Sequence, residues 1–181
     1  TLVGYDVSTG DVRWVGKAGG VSYSSPQLVT LDGVQQILLV SGVGARGFGV
    51  ASGELLWEHA WKGYPIVQPG VTMEGDLLIA VGDKSGVRRL AVAHGEAGWT
   101  VEEKWTSTVL KPYFNDFVVH KGHAYGFDGG ILSCIDLADG KRRWKGGRYG
   151  QGQMLLLAEA DLLLVLAEDG DLALVRAAPE W

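Results

Sequence analysis

The stretch Cys134-Ile135-Asp136-Leu137-Ala138-Asp139-Gly140-Lys141-Arg142-Arg143-Trp144 decides the fold, because the chain writes it more than once. Earlier copies are Gly4-Tyr5-Asp6-Val7-Ser8-Thr9-Gly10-Asp11-Val12-Arg13-Trp14 and the shorter Phe48-Gly49-Val50-Ala51-Ser52-Gly53-Glu54-Leu55-Leu56-Trp57. In each, glycine is followed four positions on by tryptophan, which reads as strand, tight turn, strand. A degraded copy ends at Trp105, so the closing tryptophans are spaced by 43, 48 and 39 residues, the period of a propeller blade. Gly10, Gly53 and Gly140 fall where a two-strand turn needs positive φ, which glycine adopts without steric cost. Asp6, Ser8, Asp136 and Asp139 flank these turns, where short polar side chains bond nearby backbone N–H groups. Trp14, Trp57, Trp105 and Trp144 are therefore expected to close outer strands and dock their indoles across the joint to the next blade.

Working outward, the chain divides into the end of a blade (1–14), three full blades (15–57, 58–105 and 106–144) and a partial blade (145–181). Asp32-Gly33 between apolar runs predicts a hairpin over 27–40, after a crossover loop at 16–20. Strands follow at 66–73 and 77–81 about Glu74-Gly75, then at 87–93 and 99–105. The next unit has 113–120 and 123–127 about Lys121-Gly122, then 131–135 and 141–144, and the last has 154–158, 162–166 and 172–176. No capped stretch of 3.6-residue period persists, so helix is expected to be scarce. The fold class read from this pattern is all-β: a β-propeller of four-stranded antiparallel blades with tryptophan-docking repeats. About four blades are present, a segment of a ring of about seven or eight, within the known range of propeller sizes. A rival reading lets the N-terminal hairpin complete the last blade and close a four-bladed ring.

The 28 glycines against 5 prolines in 181 residues fit frequent turns better than disorder. A net charge of −5 offers no global attraction to nucleic acid or an anionic membrane. The single cysteine, Cys134, forbids an internal disulfide and leaves the redox compartment undecided. The longest apolar runs, 154–158 and 162–167, fall far short of the ~20 residues of a membrane-spanning helix. No secretory signal is visible, and the first residues already read as strand, so the original N-terminus is expected upstream.

The pattern x-D-x-x-T-G-x-x-x-W resembles the repeat of the pyrroloquinoline-quinone-type (quinoprotein-like) β-propellers. Asp6, Thr9, Gly10 and Trp14 match it fully, and Asp136, Gly140 and Trp144 match with Asp139 in the threonine place. Gly53 and Trp57 keep the skeleton with Ser52 for threonine, whereas Ala93-His94-Gly95-Glu96-Ala97-Gly98-Trp99 lacks the Thr-Gly turn. The resemblance implies two functions. Quinoprotein dehydrogenases of this type present a vicinal cysteine pair, a calcium held by carboxylate and amide side chains, and a catalytic aspartate. This chain has no second cysteine and no recognisable ligand set. A PQQ- and calcium-dependent dehydrogenase with its site in further blades is thus the alternative, and no catalytic, cofactor-binding or metal residue is assigned. The favoured expectation is a non-catalytic, periplasmic interaction scaffold similar to the outer-membrane assembly factor of the same repeat family. It would hold protein partners and the remaining blades of its own ring. A carbohydrate or small-ligand sensor would instead use Trp61, Tyr64 and Trp99, which break the docking spacing.

Other motifs have plainer readings. Gly42-Val43-Gly44-Ala45-Arg46-Gly47 spells G-x-G-x-x-G, but a dinucleotide site needs a helix after it, and strand and turn follow. His120 and His123 flank a turn without the third ligand that zinc requires, Asp116 and Asp128 lying elsewhere on the hairpin. Lys141, Arg142, Arg143, Lys145 and Arg148 form a basic cluster. Strict alternation would send Lys141, Arg143 and Lys145 to one face and Arg142 with Trp144 to the other, as on a solvated outer strand. Tyr113, Asn115, Asp116, Tyr149, Gln151 and Gln153 fall at entries to inner strands, where loops present a contact surface.

Overall fold

The computed structural model describes residues 1–17, 19–82 and 84–181. Strands β1 (Val3–Tyr5) and β2 (Val12–Val15) pair as a hairpin. Three four-stranded meanders follow. The first contains β3 (Gln27–Leu31), β4 (Val34–Ser41), β5 (Gly44–Gly49) and β6 (Leu55–Ala60). The second contains β7 (Gly70–Val71), β8 (Leu77–Ile79), β9 (Val87–Gly95) and β10 (Gly98–Ser107). The third contains β11 (Val118–His120), β12 (His123–Phe127), β13 (Ile131–Asp136) and β14 (Arg142–Arg148). A three-stranded sheet of β15 (Gln153–Leu157), β16 (Leu162–Leu166) and β17 (Leu172–Arg176) ends the series, with a 3-10 turn, Ala158–Ala160, inside it. Neighbouring strands are antiparallel throughout, so the architecture is an all-β propeller arc. Because β1–β2 and β15–β17 are separate sheets, the rival four-bladed closure through a shared sheet is not adopted.

Local chemistry explains the turns. Asp32 and Gly33 have φ of 47° and 76°, and Lys121 and Gly122 have 44° and 76°. Positive φ at both central residues is the type I′ geometry whose twist matches the flanking strands. Two expected strands are much shorter than the apolar pattern suggests. Strand β7 keeps only two residues of 66–73, because Pro65 and Pro69 fix φ and remove ladder donors. Strand β11 starts at Val118 instead of 113, because Asn115 Oδ1 accepts the Tyr113 N–H at 3.2 Å and bends the segment. In the crossover loop at 16–20, Ala18 lies outside the described residues.

A feature absent from the sequence reading recurs in all four tryptophan strands. Trp14 opposes Gly4 while Val12 opposes Tyr5, which leaves Arg13 bulged. Leu56, Lys104 and Arg143 are skipped in the same way immediately before Trp57, Trp105 and Trp144. A bulge of this kind re-aims the side chain that follows it.

The core lies between sheets. Leu31, Leu38 and Val40 of the first sheet pack with Leu77, Ile79 and Leu90 of the second. Leu78 and Val87, on the other face of that second sheet, meet Ala124 and Ile135 of the third. Tyr125, Phe127 and Cys134 then meet Met154, Leu163 and Val165 of the last. Inner strands are therefore apolar on both faces, and each fully buried aliphatic side chain contributes roughly 1.5–3 kcal/mol. Among the described residues, nothing covers the far face of the last sheet. Its cross-strand rows include Leu155–Leu164–Leu174 and Leu166–Leu172, and Leu155, Leu166, Leu172 and Leu174 are all at least half exposed.

Candidate functional site

The repeat motif is built from short-range hydrogen bonds. Asp6 Oδ1 accepts the N–H groups of Ser8 and Thr9 at 2.9 and 3.0 Å, and its other oxygen accepts from Arg13. Asp136 accepts the Ala138 N–H at 2.8 Å and pairs with Arg143 in the same manner. Thr9, Ser52 and Asp139 each accept the N–H two residues further on, at 3.2, 3.2 and 2.9 Å. Hydroxyl and carboxylate are thus interchangeable at that place.

Three indoles reach into the next unit at one equivalent acceptor. Trp14 Nε1 donates to Val50 O at 3.1 Å, Trp105 Nε1 to Leu137 O at 2.9 Å, and Trp144 Nε1 to Ala178 O at 2.8 Å. Val50 and Leu137 each stand three residues before a turn glycine. A Cβ on Gly53 would lie 2.3 Å from the Trp14 ring, and one on Gly140 would lie 2.8 Å from the Trp105 ring. Three residues after Ala178 comes Trp181, whose ring lies 4.7 Å from that of Trp144. Trp57 differs: it is buried but donates to Gln36 Oε1 within its own sheet. The second sheet carries the long 93–99 hairpin in place of a Thr-Gly turn, and Gly95 and Gly98 face open space.

In these meanders the turns between second and third strands share one face with the crossovers between sheets. There a cleft of about 410 Å³ is lined by Lys84, Lys111, Pro112, Tyr113, Asp128, Gly129 and Gln151. At its floor Asp128, only 8% exposed, accepts from Arg142 Nη2 at 2.6 Å and Lys145 Nζ at 2.7 Å, with Lys111 Nζ at 3.5 Å. Burial pushes the Asp128 carboxyl up, but Lys145, Lys111 and Arg142 outweigh it and hold the carboxyl below its usual value. Strict alternation would have parted Arg142 from Lys145. The bulge at Arg143 instead sets them opposite Ile135 and Ser133, on one face, with Trp144 on the other beside Cys134. The expectation of a divided charge is corrected accordingly.

Of the six loop residues, Tyr113 and Gln151 line this cleft. Tyr113 is 56% exposed and its ring lies 5.3 Å from that of Phe114, which is 44% exposed. Asn115 is 1% exposed and braces the loop from within, so it is not part of the surface. Asp116 Oδ1 accepts the Gln68 N–H at 2.8 Å, tying the loop to the preceding crossover. Tyr149 is half-buried and its N–H donates to Gly130 O, while the Gln151 N–H donates to Glu168. Gln153 is exposed on β15, opposite Leu166. Lys84 and Lys111 escaped the sequence reading, and Asp128 entered it only as a distant candidate ligand for zinc; the Lys111-Pro112-Tyr113 run was the only local signal of a charged, aromatic loop.

The remaining motifs resolve locally. Gly42 to Gly47 lie in the β4–β5 turn and β5, with no helix after them. His120 Nε2 lies 2.6 Å from Asp161 Oδ1, and His123 Nδ1 lies 2.9 Å from Lys121 O. Trp61 stacks under the Arg88 guanidinium at 4.1 Å, Trp99 lies 4.7 Å from His94, and Tyr64 is exposed. Among the described residues, no group of three or more His, Cys, Asp or Glu stands where it could hold a metal. Asp6, Asp128 and Asp136 are each held by arginine or lysine. Burial pushes the Cys134 thiol up to about 12. The described residues therefore do not fit a quinone–calcium centre. No helix among them is long and apolar enough to cross a membrane.

No curated protein matches the chain. Among solved structures, BamB from Moraxella catarrhalis matches with a TM-score of 0.69 at 20% identity, over 98% of this chain and 52% of that one. The chain thus spans about half the length of that relative. The computationally designed Ika4 protein matches with a TM-score of 0.64 at 10% identity, over 94% of this chain and 100% of that one. The family model for the outer membrane protein assembly factor BamB matches residues 35–154, which include the whole second and third meanders and most of the first, and the chain belongs to that family.

Proposed function

We propose that the chain is a non-catalytic scaffold that holds protein partners during outer-membrane protein assembly, on the periplasmic side. The observation that carries this reading is the exposed Tyr113–Phe114 pair, of which Tyr113 lines the cleft. Asn115 from beneath and Asp116 from the side hold that loop rigid. A preorganised aromatic pair beside hydrogen-bonding groups is the composition of an interface anchor, and rigid mounting lowers the ordering cost of binding. The test is site-specific photo-crosslinking in cell envelopes. Probes at Tyr113 and Phe114 should yield discrete adducts with outer-membrane assembly proteins, identified by mass spectrometry, while probes at Tyr5 and Val7 should not. Identical adduct patterns at both places would refute the proposal.

A further inference from the structure

Resting on that scaffold reading, we infer that the cleft selects a carboxylate-rich, extended segment of a partner protein. The charge distribution carries the inference. The protein as a whole is acidic, at −5, yet Lys84 and Lys111 line this cleft and Arg142 and Lys145 reach its floor residue. Among the described residues, the carboxylates that stand against these four cations are Asp128, which all but Lys84 share, and Glu168, which accepts the Gln151 N–H at 2.9 Å. One carboxylate cannot saturate three cations. Lys111 and Lys145 retain about a third of their side-chain exposure, and Arg142 spends a further N–H on Val109 O at 3.0 Å.

Size and screening narrow the occupant. A volume of about 410 Å³ admits a few side chains and excludes a folded domain. Tyr113 offers a ring at the rim, with the Phe114 ring 5.3 Å beyond it, and Gln151 offers an amide, so an acidic side chain flanked by an apolar one fits the order of groups. A nucleic acid is disfavoured, because charge effects reach only about 8–10 Å at physiological salt and a longer polyanion would meet the acidic remainder of the surface.

The test titrates the full 181-residue chain with three fluorescein-labelled probes: hexaglutamate, hexalysine and a short oligothymidylate. Hexaglutamate should bind and weaken by about tenfold or more between about 50 mM and about 300 mM salt. The Lys84→Glu and Lys111→Glu variants should each weaken it by about tenfold. Lys17→Glu, at the outer strand where Lys17 meets Glu58, should leave it unchanged. Because Lys111 is partly packed, Lys84→Glu, at an exposed turn, serves as the variant whose fold is not in question; thermal melts verify both. Absent hexaglutamate binding, binding indifferent to Lys84→Glu, or tighter binding of oligothymidylate would each overturn the inference. If hexaglutamate fails while crosslinks at Tyr113 persist, the scaffold stands and the acidic specificity falls. If hexaglutamate binds as expected and those crosslinks are missing, the cleft is an anion site and the scaffold reading falls.

Discussion

Replacing Gly10 and Gly140 by alanine separates two costs that the repeat imposes on its turn glycine. Both lie in the left-handed region, at φ of 77° and 69°, where a Cβ costs about 1–2 kcal/mol. At Gly10 nothing stands within 4 Å of the added atom, so Gly10→Ala should lose that amount alone. At Gly140 the added Cβ meets Trp105 Cε3 at 2.8 Å, Trp105 Cδ2 at 3.0 Å and Ser107 Cβ at 3.2 Å. The indole must leave its seat, taking with it the bond to Leu137 O and straining the 2.6 Å bond from Ser107 Oγ to Gly140 O. The ceiling is complete loss of the half-buried Trp105 indole, which stays within the ~3–5 kcal/mol of a fully buried tryptophan. At roughly 2–4 °C per kcal/mol for a chain of this length, Tm should fall by roughly 2–8 °C for Gly10→Ala and by more than that, up to roughly 20 °C, for Gly140→Ala. Thermal and urea unfolding followed by tryptophan fluorescence gives both numbers. In the double variant with Trp105→Ala, the Gly140→Ala penalty should shrink towards that of Gly10→Ala, because the steric partner is gone. Equal losses at the two glycines, in the parent background, would refute the claim that the turn is a seat for the neighbouring indole.

Three further outcomes follow from single interactions. Gln36 is fully buried and its Oε1 accepts from the Trp57 indole, so Gln36→Met should leave a buried N–H unpaired and lower the unfolding free energy in urea by about 1–3 kcal/mol; an unchanged midpoint would mean another acceptor takes over. His59 lies 2.9 Å from Arg88 Nη1, and burial first, then Arg88, hold its pKa below the usual 6.5. The unfolded chain therefore binds this proton first as pH falls. The stability that His59 contributes is complete above about 6.5 and is lost as pH drops through the lower folded value, so melting temperature should decline on acidification and His59→Gln should flatten that decline. Leu164→Lys, placed in the uncovered leucine rows of the last sheet, should raise the onset temperature of light scattering while changing stability by no more than about 0.5 kcal/mol. A three-stranded face of five residues covers roughly 250 Å² by strand spacing, well under the ~800 Å² per partner of a stable interface, so the same substitution should not alter the mass of a soluble species.

How much of this was legible in the sequence depended on how far apart the interacting groups lie. Asp6, Thr9, Gly10 and Trp14 sit within nine residues, and each does its work on a neighbour in the chain or on an equivalent turn. The period and the turn chemistry therefore carried the fold. The apolar content of 66–73 overstated β7, because two prolines outweigh the side-chain pattern. Loop position placed Asn115 on the surface, whereas its bond to the Tyr113 N–H turned it inward. The candidate cleft was half visible: loop position pointed to Tyr113 and Gln151, but Lys84 and Asp128 come from turns of different sheets, Lys111 from the crossover bridged to Asp128, and the three share no local pattern.

The bulges show why strand alternation failed at the basic cluster and how seam and cleft are coupled. The skipped residues are Arg13, Leu56, Lys104 and Arg143, which have no chemistry in common, so no residue type signals the irregularity; it belongs to the pairing of two strands. One consequence of the skip is structural and repeated, since it turns each tryptophan away from the face of the residue two before it. The other consequence depends on which residues flank the tryptophan. The positions two before and one after are now on the same face, and they read Val12 and Val15, Leu55 and Glu58, Glu103 and Thr106, and Arg142 and Lys145. Only the last pair is doubly cationic, and only there do both side chains converge on a buried carboxylate at a crossover. A backbone device that serves the seam in every unit thus assembles a charged floor in one of them. Substitution at these two positions changes the cleft without touching the tryptophan that holds the sheets together.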